Sequence, residues 1–510
     1  MAVHTQKQKV GWKTTLAYGS GDIFGGGSIA IIGLWLMFFY TKFGGLTATQ
    51  AASILAISRF IDAFFDPLMG YITDNFHRSK FGKRFGRRGF FFLLGIPFSL
   101  TYSLLWISDL GYWYYLLTYI LFGLVFSLIT VPYETLSAEM TRDFNVRSRL
   151  TTVRLIFSQG STFLAAWLPG VLIGIYGEKS PFSFFLMGAV FSIIFAIIMI
   201  GLYRFTFEEP VTEKVKEPLH FKEDMKKLFK GLLSTFKIRT FRLHTLMYAG
   251  AYAAQDIFGA TFAYYVAFAL GENTVLASKL LSTMGIIQMI FIPVFAWACV
   301  KLGNGSAYQI ALGTVFVSIL AYISVYYFAS AHVVAMLYVI AIFMGIGRSG
   351  TYFVPWNIYS FIPDVDQMLT RERREGIFAG TMTFIRKLVQ SIALFLVGII
   401  LDSFGFASGN TAQPAQAITG IMVVFGIGTL LFVAFGFIVS LRFKLNKHRH
   451  EVLITEIQRL ESGGSMQDVD DHTKKVVEEL TGWEYERTWG NNDIGNAPPP
   501  KQPKTTFVNI

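Results

Sequence analysis

The chain is divided into apolar blocks, each about as long as a membrane-spanning helix. About 20 helical residues cross a bilayer, and the 510-residue sequence, 53% of it hydrophobic, repeats such blocks along most of its length. The blocks lie near residues 17–40, 48–73, 89–107, 112–138, 152–176, 181–204, 242–270, 275–300, 307–329, 332–362, 376–401 and 416–441. A single soluble core does not bury so much apolar surface. We therefore predict an all-α polytopic membrane protein with about twelve transmembrane helices.

The basic residues are concentrated in alternate loops. The formal net charge is +11, yet the loops between these basic clusters carry little more than Lys42 and Lys179. Because Lys and Arg accumulate on the cytoplasmic side of membrane proteins, this alternation places both termini in the cytoplasm. The charge thus reports topology, and we expect no nucleic-acid partner. The predicted location is the plasma membrane, which is the inner membrane in a Gram-negative bacterium.

A charged segment divides the chain into two halves. Residues 207–241 contain a lysine-rich amphipathic run between the sixth and seventh blocks. We predict an N-terminal six-helix bundle over residues 1–206, a cytoplasmic linker over 207–241 and a C-terminal six-helix bundle over 242–442. The tail, residues 443–510, has one short amphipathic stretch and a proline-rich end, so we predict that it is cytoplasmic, partly helical and partly disordered.

Three charged residues interrupt the second block. Arg59, Asp62 and Asp66 lie in an otherwise apolar helix. A charge at the centre of a transmembrane helix costs at least ~2.5–3.5 kcal/mol, so it persists mainly where it pairs, lines a cavity or binds an ion. Asp62 and Asp66 are one helical turn apart and share a face. This spacing predicts a site for one small cation at the two carboxylates.

Other polar residues lie within the blocks of the first half. Asp22 precedes the glycines 25–27, whose small size favours close helix packing or the approach of a ligand. Around Pro132 and in the next block lie Ser127, Thr130, Glu134, Thr135 and Arg154. Packing and helix-to-helix hydrogen bonds explain the glycines and hydroxyls as an alternative. Arg154 faces either the cavity or the membrane interface.

The second half has intramembrane charges of its own, at Asp256, Arg348, Arg386 and Lys387. Lys387 lies about 11 residues inside its helix, about 16 Å from its start and close to the midplane. Its neighbour Arg386 points about 100° away, so we do not expect both side chains in one site. Tyr352 and Trp356 follow Arg348 on one helix and offer aromatic faces to a ligand.

Charged residues at the predicted membrane boundary suggest a gate. Asp74 ends the second block and is followed by glycine turns with Arg78 and Arg84, while Asp143 and Arg149 follow the fourth block. Hydrogen bonds between such carboxylates and guanidinium groups lock neighbouring helices together. The alternative is that these arginines only mark the cytoplasmic side.

Motifs of soluble enzymes are absent from the sequence. The eight histidines are scattered, and there is neither a phosphate-binding loop nor a nucleophile elbow. The single cysteine, Cys299, excludes an internal disulfide. We therefore expect neither an enzyme nor a bound cofactor.

Three stretches together resemble the glycoside-pentoside-hexuronide:cation symporter family, to which melibiose permease belongs. They are Arg59-x-x-Asp62-Ala63-x-x-Asp66-Pro67-x-x-Gly70, the stretch from Val131-Pro132-Tyr133 to Asp143 and Arg149, and Arg373-Arg374-Glu375-Gly376 followed by Lys387. The resemblance runs from about Leu16 to the end of the twelfth block. It implies the major facilitator fold, alternating access between two six-helix bundles, and symport of a sugar or glycoside with H⁺ or Na⁺.

The resemblance also assigns roles to residues. The implied cation site consists of Asp62, Asp66, Ser127 and Lys387, with Asp62 and Asp66 as the metal ligands if the cation is Na⁺. Together with the polar residues described above, the expected substrate contacts are Asp22, Gly26, Thr130, Glu134, Arg154, Asp256, Arg348, Tyr352 and Trp356. The expected gating residues are Asp74, Arg78, Arg84, Asp143 and Arg149.

Three positions differ from melibiose permease. Phe65 replaces the cation-site asparagine, which removes an oxygen ligand and favours H⁺ while leaving Na⁺ open. Gly26 and Thr130 replace two carboxylates that grip a neutral sugar. Because Arg154 is kept and Arg348 is gained, we expect an acidic sugar, such as a uronate-containing oligosaccharide.

Three alternatives remain at this stage. The first is a neutral glycoside:cation symporter. The second is a lysolipid carrier of the same fold, which the 51 phenylalanines permit. The third is a membrane scaffold that does not transport, favoured if the tail is a folded signalling domain.

Overall fold

The computed structural model describes residues 10–141, 143–208, 221–328 and 332–494. These residues form helices and contain no β-strand, which confirms the predicted all-α fold. Their twelve long helices are α1 (Trp12–Phe43), α2 (Ala48–Asn75), α3 (Gly89–Trp106), α4 (Tyr112–Met140), α5 (Phe144–Tyr176), α6 (Phe182–Phe205), α7 (Arg239–Tyr264, continued by the turn Tyr265–Ala269), α8 (Thr274–Leu302), α9 (Asn304–Phe328), α10 (Val333–Tyr359), α11 (Glu375–Ser403) and α12 (Ala415–Ser440).

Ten helices of the described chain are long and apolar enough to cross a membrane by length and composition. The other two long helices are α2 and α7, which carry charged residues in their interior. In α2 these are Arg59, Asp62 and Asp66. One of the two helices that depart from a lipid-like composition thus holds the predicted cation site, as expected for charges that face other helices.

Local sequence explains how α2 begins and where it is weakened. Thr47 and Gln50 form a capping box, in which Thr47 Oγ1 accepts from the Gln50 amide at 3.2 Å and Gln50 Oε1 accepts from the Thr47 amide at 3.1 Å. Pro67 lies inside the helix and has no amide to donate to the carbonyl of Ala63. The backbone ladder is therefore interrupted next to Asp62 and Asp66.

The position of the linker helix distinguishes the two ends of the molecule. A linker helix, Phe221–Thr235, lies against α11, where Thr235 Oγ1 and Thr381 Oγ1 are 3.5 Å apart. We call the end of the molecule that carries this helix the linker end, and the opposite end the loop end. We call α1–α6 the N-terminal half and α7–α12 the C-terminal half.

At the loop end the two halves are joined. The Asp402 carboxylate, at the end of α11, accepts hydrogen bonds from the Ala48 and Thr49 amides of α2 at 3.0 and 2.8 Å. Reciprocally, Glu178 of the N-terminal half accepts from the Thr274 amide of α8 at 2.5 Å. Each half thus supplies a carboxylate that caps a helix of the other half, where unsatisfied amides and the helix dipole favour negative charge.

Small residues bring the halves together between the loop end and the middle of the membrane. A Cβ atom at Gly398 of α11 would lie 2.3 Å from the Ala52 Cβ of α2, and one at Gly170 of α5 would lie 2.2 Å from the Ser278 hydroxyl of α8. Ser278 donates to the Ala166 carbonyl at 2.5 Å. These contacts are typical of closely packed transmembrane helices.

At the linker end the ion pairs lie within one half. Glu139 at the end of α4 pairs with Arg87 and Arg88. In the C-terminal half, Arg374 pairs with Asp366 at 2.5 Å. No ion pair of the described residues joins the two halves at this end. Ion pairs and caps between the halves of the described chain therefore lie at the loop end and in the middle of the molecule, while ring contacts of Phe64 with Phe229 and Phe384 join α2 to the linker helix and α11.

The tail is folded as far as the structure describes it. It forms the helices Lys447–Glu461 and Asp471–Thr481 and the turn Tyr485–Arg487. The predicted amphipathic stretch lies in the first of these helices. The tail packs on the C-terminal half: Thr240 donates to the Leu480 carbonyl at 2.6 Å, and the Trp489 amide to the Met368 carbonyl at 2.7 Å. The proline-rich end lies outside the described residues.

Candidate functional site

The predicted cation site lies where α2, α4 and α11 meet. Asp66 accepts a hydrogen bond from the Ser127 hydroxyl of α4 at 2.5 Å. It also forms an ion pair with Lys387 Nζ of α11 at 2.6 Å. The Asp66 side chain is 21% exposed. The structure therefore brings together three of the four residues predicted for this site, and one of them, Lys387, comes from the other half of the molecule.

The second carboxylate of the site is more deeply buried. Asp62 is 2% exposed, and its carboxylate lies 3.4 Å from the Arg59 guanidinium one turn earlier. Lys387 Nζ also approaches the Asp62 carbonyl, at 3.5 Å. Both acids thus face a cation of the protein, which offsets the cost of burying their charges.

Gly123 of α4 is a site residue that the sequence did not reveal. A Cβ atom at this position would lie 2.3 Å from Asp62 Oδ1 and 3.1 Å from Ser58 Oγ. The absence of a side chain lets the Asp62 carboxylate rest against the α4 backbone. A glycine in a transmembrane helix is common and carries no signal by itself, since only the position of α2 beside α4 gives it this role.

A second polar cluster lies between α1, α4 and α5. Arg154 Nε donates to Asp22 Oδ1 at 3.0 Å, and its guanidinium lies over the Tyr133 ring at 5.2 Å. Glu134 is 3.9 Å from Arg154 Nη2, too far for a hydrogen bond, and its side chain is 63% exposed. The structure thus brings together three predicted substrate contacts: Asp22, Arg154 and Glu134.

Gly26 and Thr130 lie beside this cluster. A Cβ atom at Gly26 would be 2.8 Å from Ser158 Oγ and 3.5 Å from Asp22 Oδ2. The Asp22 carboxylate therefore reaches the space next to Gly26 from one turn earlier on α1. Thr130 donates its hydroxyl to the Phe126 carbonyl of its own helix at 2.8 Å, so this side chain satisfies its polar group locally.

In the C-terminal half, Asp256 and Arg386 form a bidentate ion pair. Arg386 Nη1 and Nη2 donate to the two Asp256 oxygens at 2.5 and 2.7 Å, and Gln390 donates to the same carboxylate at 3.2 Å. Arg386 also lies over the Tyr252 ring at 4.8 Å. Because Lys387 points to Asp66 instead, the adjacent cations serve different sites, as the helix geometry predicts.

The three predicted substrate contacts on α10 point to different places. Trp356 is 42% exposed and donates from Nε1 to the Tyr252 hydroxyl at 3.1 Å. Tyr352 lies beside Ser158 and Gln159 of the other half. Arg348 instead lines a small cavity inside the C-terminal half, formed by residues of α7, α9, α10 and α12. The structure therefore does not place Arg348 with Arg154 and Asp22.

The gate at the linker end uses partners other than the predicted ones. Asp74 lies 3.7 Å from Arg88, another arginine of the loop after the second block, whereas Arg84 is exposed beside the Phe85 ring. Asp143 caps α5 by accepting from the Val146 amide at 2.9 Å, and Arg149 donates to the Val10 carbonyl at 2.7 Å. The pairing of Glu139 with Arg87 and Arg88 was not predicted from the sequence.

Backbone hydrogen bonds of Arg87 and Arg88 explain why these two arginines of the loop lie close enough to Glu139 to pair with it. Their amides donate to the Glu208 carboxylate at 2.6 and 2.7 Å. This bridge fixes the start of α3 against the segment after α6. The sequence offers several arginines in one loop, and only the path of that loop distinguishes them.

Comparison with known proteins defines the class of the protein. A bacterial homolog of the human lysosomal transporter Spinster, solved in an inward-facing, unoccupied conformation, superposes with a TM-score of 0.60 at 14% identity, covering 88% of this chain and 100% of that one. The fold is therefore that of the major facilitator transporters.

Sequence relatives narrow the class. The family model for MFS/sugar transport proteins matches residues 17–447. An uncharacterized symporter of Synechocystis is 26% identical over 81% of this chain and 90% of its own. The glucuronide carrier protein homolog of Escherichia coli is 25% identical over 93% of this chain and 98% of its own.

The chain belongs to the MFS/sugar transport protein family, and its predicted resemblance to the glycoside-pentoside-hexuronide:cation symporters is confirmed. It is a multi-pass membrane transporter and not an enzyme. Cation-coupled transport of a sugar or glycoside is the activity that these relationships support.

Proposed function

We propose that this transporter imports an acidic sugar together with H⁺, and that the Asp66–Lys387 ion pair couples the two movements. The observation that carries the proposal is the contact of Lys387 Nζ with Asp66 Oδ2 at 2.6 Å, because it joins α11 of one half to α2 of the other. A cation that binds Asp66 competes with Lys387. Occupancy of the site therefore changes a bond between the two halves.

Protonation of Asp66 accounts for coupling in physical terms. A neutral carboxyl group no longer attracts the Lys387 ammonium as an ion pair, so the protonated site favours a different arrangement of α2 and α11. Proton binding shifts the equilibrium between the two arrangements of α2 and α11 by the difference in proton affinity between them. Downhill entry of H⁺ then drives uphill entry of the sugar.

The residues at the site fit H⁺ better than Na⁺. A sodium site of oxygen ligands resembles those of other hard cations, which take at least about six oxygens. Here the side chains of Asp62, Asp66 and Ser127 provide the oxygens, and Phe65 contributes none. Two protein cations, Arg59 and Lys387, already face the acids. We therefore place the proton on this pair of acids and treat Na⁺ as the alternative.

The Arg154 cluster supports an acidic substrate. Arg154 uses Nε for Asp22, while its Nη2 atom has only Glu134 at 3.9 Å. A guanidinium group with free nitrogens binds a carboxylate through two parallel hydrogen bonds. In this proposal the uronate carboxylate binds the Arg154 Nη atoms that Asp22 leaves free. Trp356 and Tyr252 provide an aromatic wall for the sugar ring on the opposite half.

The joined loop end corresponds to the outside of the cell in this proposal. Both termini, the linker helix and the tail then lie in the cytoplasm, in agreement with the positive-inside distribution of basic residues. In this proposal the structure corresponds to an inward-facing state. Import requires the loop-end contacts of Asp402 and Glu178 to open and the linker end to close.

Uptake into proteoliposomes tests this function. Vesicles containing the protein receive an imposed H⁺ or Na⁺ gradient, and accumulation of a labelled glucuronide is compared with that of a neutral galactoside. We expect accumulation of the glucuronide with the H⁺ gradient. Better competition by neutral galactosides would contradict the acidic substrate, and accumulation only with Na⁺ would contradict proton coupling.

The same assay addresses the alternatives of a lysolipid carrier and a scaffold. Movement of a lysolipid in place of the sugar would favour the carrier, and no gradient-driven solute movement would favour the scaffold. The folded tail packs on its own C-terminal half through the hydrogen bonds of Thr240 with Leu480 and of Trp489 with Met368. This arrangement suits a part of the transporter better than a separate signalling domain.

A further inference from the structure

Arg348 differs from the other arginines found deep in the long helices. Those arginines each face a carboxylate: Arg59 with Asp62, Arg154 with Asp22, and Arg386 with Asp256. Arg348 lies near the middle of α10, and no ion pair or side-chain hydrogen bond joins it to another described residue. Its contact with the Phe258 ring, at 6.0 Å, is long. A charge deep in a transmembrane helix is costly unless it is paired.

The surroundings of Arg348 contain buried polar groups without a hydrogen-bond partner. Arg348 Nε and the Thr429 hydroxyl are buried and have no hydrogen-bond partner, and both residues line the same cavity. The Tyr322 hydroxyl is also buried and unpartnered, and its ring packs 6.3 Å from the Phe258 ring that Arg348 faces. Buried polar groups are almost always hydrogen-bonded. A guanidinium N–H and two hydroxyl groups without partners in one region therefore indicate a missing partner, and the positive charge of Arg348 favours an anion.

The cavity itself is small and contains no acid. Its described lining comes from four helices of the C-terminal half and includes no Asp or Glu. The space left for the centre of a water-sized sphere is about 10 Å³, close to what one water molecule needs. A sugar acid is far too large for this space, whereas a single small ion is not.

We infer that Arg348, Thr429 and Tyr322 form a binding site for a small inorganic anion of the chloride type. The anion accepts hydrogen bonds from all three groups and neutralises the guanidinium charge within the C-terminal half. It thereby ties α9, α10 and α12 together. This site is separate from the Arg154 cluster and does not depend on which sugar or cation is transported.

Thermal unfolding of the purified full-length protein tests the site. Unfolding is followed while sodium glutamate is replaced by sodium chloride at constant Na⁺ concentration and ionic strength. Glutamate is the reference because it exceeds the cavity in size and is not a sugar acid of the proposed substrate class. We expect a saturable rise of the melting temperature with chloride, as for any ligand that binds only the folded state.

Variants of the three donors make the test specific. Arg348→Met is expected to abolish the chloride response. Thr429→Val and Tyr322→Phe each remove one hydroxyl and are expected to raise the half-saturating chloride concentration about tenfold. If Arg348→Met does not fold, these two variants carry the test. The controls are Thr419→Val on α12 and Tyr327→Phe on α9, both of exposed residues, and they keep the wild-type response.

Bromide gives an independent structural measurement. Crystals of the full chain grown in bromide are expected to show an anomalous peak between Arg348 and Thr429. A peak-free site occupied by a water molecule would overturn the proposal. So would a wild-type chloride response that is unchanged in the Arg348→Met, Thr429→Val and Tyr322→Phe variants.

Discussion

Neighbouring cations on α11 form two different kinds of ion pair. Lys387 reaches across to Asp66 of the N-terminal half, whereas Arg386 binds Asp256 within its own half. A contact inside one half persists when the halves move as rigid bodies, while a contact between the halves changes. The comparison indicates that pairs between the halves govern conformation and coupling, and that pairs within a half hold the walls of the site.

The largest expected difference lies between Lys387→Met and Arg386→Met. Removing Lys387 breaks the bond between the halves, so we expect sugar flux that no longer depends on the cation gradient. Removing Arg386 leaves Asp256 with Gln390 and disturbs Tyr252, so we expect a raised KM with coupling retained. Initial uptake rates with and without an imposed H⁺ gradient measure both effects. Equal loss of gradient dependence in the two variants would contradict the different roles assigned to the ion pair between the halves and the ion pair within one half.

The caps at the loop end offer a second way to weaken contacts between the halves. Replacing a helix cap by alanine costs about 0.5–2 kcal/mol, so Glu178→Ala together with Asp402→Ala is expected to shift the equilibrium toward the outward-facing state about tenfold or more. Spin labels or cysteines introduced on either side of the loop end measure the populations. The matched control, Asp143→Ala, removes a cap within one half. An equal shift with this control would contradict the account.

The sequence predicted the arrangement of ion pairs between and within the halves only in part. The charges of α2 were predictable because a carboxylate in an apolar helix needs a reason to be there. Lys387 was expected near the midplane from its depth in the helix, and the divergence of Arg386 followed from helical geometry. The partner of each cation was not predictable, since Asp256 and Arg386 are 130 residues apart and the pairing depends on how the helices pack.

Other assignments failed for the same reason. Arg348 was expected at the substrate, but the rotation of α10 turns it into the interior of the C-terminal half. Asp74 faces Arg88 rather than Arg78 or Arg84, because the loop after α2 brings Arg88 back toward α4. Gly123 matters only because the Asp62 carboxylate lies against it. Each of these depends on helix orientation, which composition and periodicity do not determine.

Gly123→Ala tests the packing that holds Asp62 in the site. The added methyl group meets the Asp62 carboxylate, so α2 and α4 have to separate, at a cost of about 1–3 kcal/mol for such overpacking. We expect weaker cation dependence of uptake and a lower melting temperature. Gly201→Ala on α6 is the matched control, since a Cβ atom there meets nothing within 4 Å. No difference between the two variants would mean that Asp62 moves freely.

The smallest effect is expected for ion pairs on the tail. The hydrogen bond from Lys444 at 2.7 Å, aided by Arg449, lowers the pKa of Glu479 below its ordinary value of 4.5. A depressed carboxyl pKa adds stability above the ordinary pKa that is lost as the pH falls through the folded value. We therefore expect slightly faster proteolysis of the tail in that acidic range.

A control variant isolates this tail contact. Glu479→Gln lacks the titrating group, so its contribution to the pH dependence of proteolysis is expected to disappear. Because the pair lies within the tail, gradient-driven uptake should be the same in this variant as in the wild type. Altered coupling in Glu479→Gln would show that contacts within the tail also control the transport cycle.

The most direct test of the central claim is the comparison of two transport modes in Asp66→Asn. Concentrative uptake under an imposed cation gradient requires the site, whereas exchange of labelled for unlabelled sugar at equal concentrations requires only that the loaded transporter changes conformation. The account predicts that Asp66→Asn accumulates no sugar above equilibrium but retains exchange. Undiminished concentrative uptake in this variant would contradict the coupling role of the Asp66–Lys387 pair.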